Sequence, residues 1–417
     1  MIEAWKKYDF TDCLVDNNVG RANQINASEI KKEGRFPVVD QGQDFIAGYS
    51  DEENKLIKNG LPYVIFGDHT RCFKFVDFPF IVGADGTKVL SPNTKLFDPK
   101  YFYYQLLSFD IPSRGYNRHY KLLKEKILQK PELPEQRKIA YVLSTVQKAI
   151  EQQDKLIRHT TELKKALMQK LFTEGTKGEK QKLTEIGLVP ESWEVKPLIE
   201  AVEFIDYGVS QAIPKTPPKN GVKIVSTADI NRAGDLLYEK IRTIEVPKRT
   251  AEKLELKDGD LLFNWRNSAE LIGKSTIYHK QSEPHIFASF ILRINCGEKK
   301  SHNYFMKYLM NHYREEGVFI KLSRRAVNQA NYNRNEISVL PIPLPPYKEQ
   351  IAIAQIITKI ENKVNHHKSK KQTLTDLFNV LLHDLMTGGR RVHDIEFEAL
   401  TKAYKIKEQP LSIAAEK

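Results

Sequence analysis

Few residue groups in this 417-residue chain have the types and spacing of a catalytic site. Leu344-Pro345-Pro346-Tyr347 has the outline of the [DNS]-PP-[YFW] motif of amino-methyltransferases. The first residue of that motif must hydrogen-bond the amino group being methylated, and leucine has neither donor nor acceptor to offer. No glycine-rich cofactor loop accompanies it, so the prolines read as the start of a helix. Glu255-Leu256-Lys257, followed by Asp258 and Asp260, has the acid-x-lysine spacing of metal-dependent nucleases, but such triplets arise readily by chance in a chain that is 28% charged. There is no GxxxxGK[ST] or GxGxxG loop for phosphates, and Thr173–Lys180, with its two glycines, follows a long helical pattern and reads as a linker. His366, His367 and His383 have no cysteine or acid at metal-ligand spacing. No Ser-His-Asp arrangement can be inferred.

A second class of residues is better represented. Arginine can grip guanine, asparagine or glutamine can grip adenine, and aromatic rings can stack on or wedge between bases. Asn264, Trp265, Arg266 and Asn267 follow the apolar run GDLLF, with Lys274 beyond them. His69, Thr70 and Arg71 occupy the corresponding place after PYVIF. Gln41, Gln43 and Tyr49 lie among glycines earlier in the chain. Arg114, Tyr116, Asn117 and Arg118 form one basic, amide and aromatic segment, and Arg324, Arg325, Asn328, Gln329, Asn331 and Arg334 form another. With 65 Lys+Arg against 53 Asp+Glu, a net charge of +12 and a pI near 9.2, an anionic partner such as double-stranded DNA is expected. Each of these residues is a candidate DNA contact, and each could equally be a solvated loop residue, with Trp265 a core aromatic.

These segments need a frame, and a repeat supplies it. Glu135–Gly175 and Glu349–Gly389 align without a gap at an offset of 214 residues, with ten of 41 positions identical. Each copy reads as a long amphipathic helix. The apolar stripe of the first is Ile139, Val142, Val146, Ile150, Leu156, Leu163, Leu167 and Leu171. That of the second is Ile353, Ile356, Ile360, Val364, Leu374, Leu377, Leu381 and Leu385. Pro134 and Pro345 lie at the starts and Gly175, Gly388 and Gly389 at the ends, as helix punctuation does. A lone helix with so thin a stripe must bury it, and the natural partner is the duplicate, packed as a coiled coil roughly 60 Å long at 1.5 Å per residue, in either direction because a whole domain separates the copies. The parts before each helix are rich in short apolar runs broken by Gly, Pro and Asn and read as sheet-dominated α+β domains. The expected organisation is a mixed domain over 1–131, a helix over 132–175, a linker over 176–190, a second mixed domain over 191–343, a helix over 344–389 and a polar tail over 390–417.

Cys13, Cys72 and Cys296 are odd in number and far apart, which fits a reducing cytoplasm and gives no sign of a zinc site or disulfide framework. The N-terminus lacks a signal-peptide layout, and no apolar stretch is long enough to span a membrane.

The doubled arrangement resembles the specificity subunit of type I restriction–modification enzymes, a phage-defence system. The resemblance is carried by LPEQRKIA (133–140) with LMQKLFTEG (167–175), by LPPYKEQIAIA (344–354) with LLHDLMTGG (381–389), and by the joint TEIGLVPESWEVKPL (184–198). It covers nearly the whole chain. The first unit departs from the pattern at its helix start, with one proline fewer beside Glu-Gln and a charged approach, LKEKILQKP, where the second has ISVLPIPLP. The resemblance implies two target recognition domains, each reading half of a split DNA sequence, with the two helices forming an antiparallel coiled coil that acts as the ruler between half-sites. Because the two domains differ in sequence, the target is expected to be asymmetric. It implies docking of two methyltransferase (modification) subunits and, through them, restriction subunits. It places no cofactor in this chain: S-adenosylmethionine, ATP and Mg2+ would belong to the partners, as would catalysis. Two other readings stand beside it. One is a methyltransferase or nuclease of unusual motif, or the specificity region of one; the other is a non-enzymatic coiled-coil scaffold.

Overall fold

The structure, a computed structural model, describes residues 5–17, 19–83, 86–113, 115, 117–268, 270–297, 300–322, 324–326, 329–331 and 333–392, with backbone alone at 321–322, 324–326 and 329–331. It divides into two compact units, residues 1–154 with 369–417 and residues 155–368. The long helices run Leu133–Glu174 and Tyr347–Thr387. Each therefore gives one half to each unit.

Within the first unit the two helix halves run antiparallel. Ile139, Ala140 and Leu143 share a core with Leu382, Leu385 and Met386, and further along Lys371 Nζ lies 2.6 Å from Asp154 Oδ1. The second unit repeats this with the roles exchanged. Met168, Leu171 and Phe172 share a core with Ile353, Ala354 and Ile357, and Lys164 Nζ lies 2.6 Å from Glu361 Oε1. Each core residue of one set is the counterpart, 214 positions away, of one in the other.

The expected stripe is partly corrected. Ile139, Leu171, Ile353, Val364 and Leu385 are buried, and Val142, Val146, Ile150, Leu167, Ile356, Ile360 and Leu381 half-buried. Leu163 and Leu377, however, are 58% and 45% exposed, and Leu156 is exposed as well. The cause is the polar middle of each helix. There the inward stripe continues at steps of three and four through Gln153, Ile157, Thr160 and Lys164, all buried or half-buried. Leu163 stands one residue away from it, about 100° around the helix.

The Glu-Gln pair opening each long helix fastens it to its mixed domain. The buried Gln136 side chain donates to Pro131 O at 2.9 Å and Leu96 O at 3.0 Å, and accepts from the Asp98 N–H at 2.8 Å. Asp98 is the N-cap of the helix Pro99–Leu107. Gln350 does the same, donating to Pro345 O at 2.9 Å and accepting at 2.8 Å from the N–H of His302, the N-cap of the helix Asn303–Glu315. The neighbouring acids secure the chain where it leaves the opposite helix. Glu135 pairs with Arg391 Nε and Nη2 at 2.5 and 2.6 Å. Glu349 accepts from the Thr176 N–H and hydroxyl, both at 2.9 Å, and pairs with Lys177 Nζ at 2.9 Å. Lys177 and Arg391 are themselves 214 residues apart. The first helix ends at Gly175 with φ +67, where a Cβ would lie 2.8 Å from Glu349 Oε1 and 3.2 Å from the buried Trp193; only glycine fits both the conformation and the space.

The mixed domains are α+β. In the first, strands Gln24–Ile25, Ile81–Gly83, Phe36–Val39 and Gly48–Ser50 form one sheet in that order, and Phe73–Val76, Tyr63–Gly67 and Thr87–Leu90 an antiparallel one. In the second, the corresponding sheets are Arg242–Ile244, Val222–Val225 and His285–Phe287, and Phe204–Tyr207, Ile291–Asn295, Leu261–Asn264 and Ser275–Ile277. In both, a parallel pairing (Val38 with Ile81, Ile224 with Ile286) joins distant segments. The strand before each long helix pairs with the one that opens its domain, Ile127–Lys130 with Lys6–Asp9 and Pro341–Leu344 with Glu194–Pro197. The joint between the repeats is not a plain linker: Gln181–Thr184 and Gly187–Pro190 form a hairpin, with Gly187 at φ +105 in its turn.

One equivalent contact uses different chemistry in the two units. Tyr104 OH donates to Gln147 Oε1 at 2.9 Å. The counterpart of Gln147 is Glu361, which accepts from Tyr308 OH at 2.8 Å and pairs with Lys307 at 2.9 Å as well as with Lys164. Burial opposes ionisation of Glu361, but Lys307 and Lys164 prevail and hold its carboxyl at about 2.

Two stability predictions follow from these contacts. Gln136→Ala and Gln350→Ala should each destabilise the unit that carries the substitution by about 1–3 kcal/mol, read as a lowered denaturant midpoint, because buried N–H and C=O groups lose their partners. The Glu361 cluster stabilises the fold fully above the ordinary glutamate range, since its folded pKa is the lower one, and the contribution is lost as pH falls from about 4.5 towards 2. Glu361→Gln should flatten that acid limb in a pH series of thermal melts.

Candidate nucleic-acid interface

The first mixed domain brings three separate sequence segments together. The turn after strand Tyr63–Gly67 is closed by Arg71 N–H to Gly67 O at 2.7 Å, with Arg71 at φ +64. Thr70 Oγ1 donates to Gln41 O, and the His69 N–H donates to Gln41 Oε1 at 3.2 Å, so Gln41 ties the loop after Val39 to this turn. The third segment arrives through Asp68. Its carbonyl accepts the His119 N–H at 2.8 Å and its carboxylate the Tyr120 N–H at 2.7 Å. Arg71 Nη1 donates to Ile111 O at 2.9 Å. Asn117 and Arg118 are exposed beside this knot. Lys88 and Lys124 sit 5.6 and 5.1 Å over the Tyr120 ring. The result is a cationic surface around His69, Thr70 and Arg71, with Gln43 exposed and Tyr49 half-buried on the neighbouring loop and strand. Arg114 and Tyr116 lie outside the described residues.

In the second domain the backbone unites two other segments. Strand Arg266–Asn267 pairs with Gln329–Asn331, which pairs with Arg324–Ala326, so that Arg266 and Arg324 both stand opposite Asn331. Asn328 lies outside the described residues, as do the side chains of Arg324, Arg325, Gln329 and Asn331. Trp265 is half-buried. Its indole N–H donates to Ser289 O at 2.6 Å, and its ring meets Tyr207 and Phe290 edge-on at 5.5 and 6.2 Å. Arg266 stacks 4.7 Å over Phe290, and the Arg334 N–H donates to Tyr207 OH at 2.7 Å. A basic and aromatic surface thus forms around Tyr207, Trp265, Arg266 and Phe290.

Two expected contacts are corrected. Asn264 is fully buried, with its amide donating to Leu271 O at 3.3 Å. Lys274 is buried with its ammonium on the carbonyls of Thr227 and Ile230. Both sit where strand Leu261–Asn264 and its neighbour enter the core, so the Asn264 amide N–H and the Lys274 ammonium serve the domain's own backbone. Sequence reading also missed exposed aromatics: Phe45 beside Gln43, and Phe290. Phe45 left a signal, an apolar residue inside a Gly, Gln and Asp loop. Phe290 left none, because it adjoins the core strand Ile291–Asn295.

The acid-x-lysine triplet is a local pair, with Lys257 Nζ 3.0 Å from Glu255, and the adjacent Asp260 accepts the Lys257 N–H and faces Arg293. Among the described residues, no three His, Cys, Asp or Glu side chains gather as metal ligands, and no helix is long and apolar enough to cross a membrane.

The profile of the type I restriction modification DNA specificity domain matches residues 7–158 and again 190–376. A putative specificity subunit of the type I restriction enzyme MjaX from Methanocaldococcus jannaschii is 30% identical over 217 residues, which is 51% of this chain and 50% of the relative. The chain thus spans about half the length of that relative. The MjaVIII specificity subunit of the same organism is 28% identical over 327 residues, 74% of each chain. The fold is that of the S subunit of a type I system from M. genitalium, with a TM-score of 0.62, 14% identity, and coverage of 91% of this chain and 96% of the other. Two profile matches, each ending on a long helix, account for the repeat, and the chain belongs to the type I restriction modification DNA specificity domain family.

Proposed function

We propose that this chain is the DNA-recognition subunit of a type I restriction–modification complex and carries no catalysis itself. Each mixed domain reads one half of a bipartite, asymmetric double-stranded DNA target. The long helices set the gap and dock two methyltransferase subunits, and restriction subunits join through those. S-adenosylmethionine, ATP and Mg2+ act on the partners, in the cytoplasm. The observation that carries this reading is the repeat of one assembly, a mixed domain with a basic, amide and aromatic surface locked by Glu-Gln to a long helix. Phosphate contacts from the cationic surfaces would supply salt-sensitive affinity. Gln43, His69, Thr70, Arg71, Asn117 and Arg118 in one domain, and Trp265, Arg266, Asn267 and Arg334 in the other, are the proposed contacts. Readers on one face of B-DNA favour half-sites about 10 bp apart.

The exposed Leu163 and Leu377, 214 residues apart, together with Val380, are proposed to face the methyltransferase subunits, since apolar side chains left out of the helix seam gain from burial against a partner.

Co-expression with a cognate methyltransferase subunit in a methylation-free host, followed by base-modification sequencing, should reveal one split motif modified on both strands. Replacing residues 1–131 by another recognition domain should change one half only. Methylation by this chain alone would overturn the proposal. Leu163→Glu with Leu377→Glu should weaken capture of the methyltransferase subunit at least tenfold in pull-down titrations, about 1.4 kcal/mol or more, while leaving the circular dichroism of the chain unchanged.

A further inference from the structure

Each mixed domain buries a lysine against the loop that follows its parallel-paired strand, which in the first domain is the loop of Gln41 and Gln43. Lys74 lies in strand Phe73–Val76 and Lys274 just before strand Ser275–Ile277, and both are 4% exposed. Lys74 Nζ lies 2.8 Å from Asp40 O, 2.5 Å from Asp44 O and 3.5 Å from the Asp40 carboxylate. The two carbonyls bracket Gln41, Gly42 and Gln43. Lys274 Nζ donates to Thr227 O at 2.9 Å and to Ile230 O, bracketing Ala228 and Asp229. Asp229 Oδ2 closes the same turn by accepting from the N–H and hydroxyl of Ser226, both at 2.7 Å.

The two lysines are not the same position of the repeat. Lys74 stands opposite Ile65, whereas the Lys274 carbonyl accepts the Asn264 N–H, the place that Cys72 takes opposite Gly67. Two different positions thus converge on one outcome: an ammonium on two carbonyls of the loop after the domain's parallel-paired strand, Phe36–Val39 or Val222–Val225. An ammonium out of water needs its donors satisfied, and a methionine would fill the same volume without that cost. Packing alone does not account for a lysine at both places; a requirement for a fixed loop does.

We propose that Lys74 and Lys274 are positioning residues for sequence readout, each fixing by two backbone carbonyls the loop that its recognition domain turns to one DNA half-site. This rests on the reading of the mixed domains as half-site readers. Neither lysine touches a base. In the first domain the clamped loop carries the exposed Gln43 and Phe45 and, through Gln41, braces the turn holding His69, Thr70 and Arg71. A loosened loop keeps phosphate-driven affinity but loses discrimination among bases.

The test uses the full chain assembled with its methyltransferase subunits and measures methylation of duplexes bearing the mapped target or single base changes in either half. If the unaltered complex fails to discriminate in one half, the half-site reading itself fails, and that result is separate from the fate of the clamp. Lys74→Met should reduce discrimination in one half by about tenfold, the scale of one mismatched base pair, and leave the other half intact; Lys274→Met should do the reverse. Lys74→Gln and Lys274→Gln, which keep N–H donors, should recover part of the loss. Gln43→Ala, on the exposed loop, tests the first domain even if Lys74→Met does not assemble, and should alter the same half. The proposal is overturned if the methionine variants lower rate or yield with discrimination unchanged, or if Gln43→Ala leaves the first half read as before.

Discussion

The structure depends on one constraint: the first turn of each long helix must be fastened to the mixed domain before it and to the chain leaving the other helix. Glutamine and glutamate in succession do both. The amide of Gln136 or Gln350 meets the N-cap of a domain helix and the carbonyl of a preceding proline. The carboxylate of Glu135 or Glu349 reaches a cation just past the end of the opposite helix. Neighbouring residues on a helix point about 100° apart, so two adjacent side chains can address two different bodies.

Duplication makes this economical, because a contact that works once works twice with roles exchanged. The copies have still diverged where the chemistry permits. Gln147 meets Tyr104 as a neutral amide, and its counterpart Glu361 meets Tyr308 as an anion neutralised by Lys164 and Lys307. The counterpart of Lys164 is Phe378, packed edge-on against Tyr104 at 6.1 Å. A buried carboxylate requires cations around it, and an amide does not, so the substitutions stand as a consistent set in each unit.

The two candidate recognition surfaces follow another logic. In the first domain the cations and amides are carried on turns whose backbones are tied down by the buried side chains of Asp68 and Lys74, and in the second Asp229 and Lys274 fix the loop after strand Val222–Val225 in the same manner. Flexible groups on a rigid base suit the role proposed for them, which is to meet a regular anionic lattice and still tell one base from another.

The sequence by itself determined the duplication, the two long helices with their boundaries in Pro, Glu-Gln and Gly, the α+β character of the intervening parts and the absence of a recognisable catalytic motif. These are local or periodic signals, and periodicity survives in one dimension. The tertiary structure decided what periodicity leaves ambiguous. A polar stretch in mid-helix hides which of two adjacent residues faces inward, so Leu163 and Leu377 read as seam residues and prove exposed, while Thr160 and Lys164 face in. A lysine or asparagine near a turn reads as a surface contact, and only the fold shows Asn264 and Lys274 turned to buried carbonyls. Pairing across some sixty residues, Arg266 with Asn331, depends on long-range hydrogen bonds that no local pattern encodes.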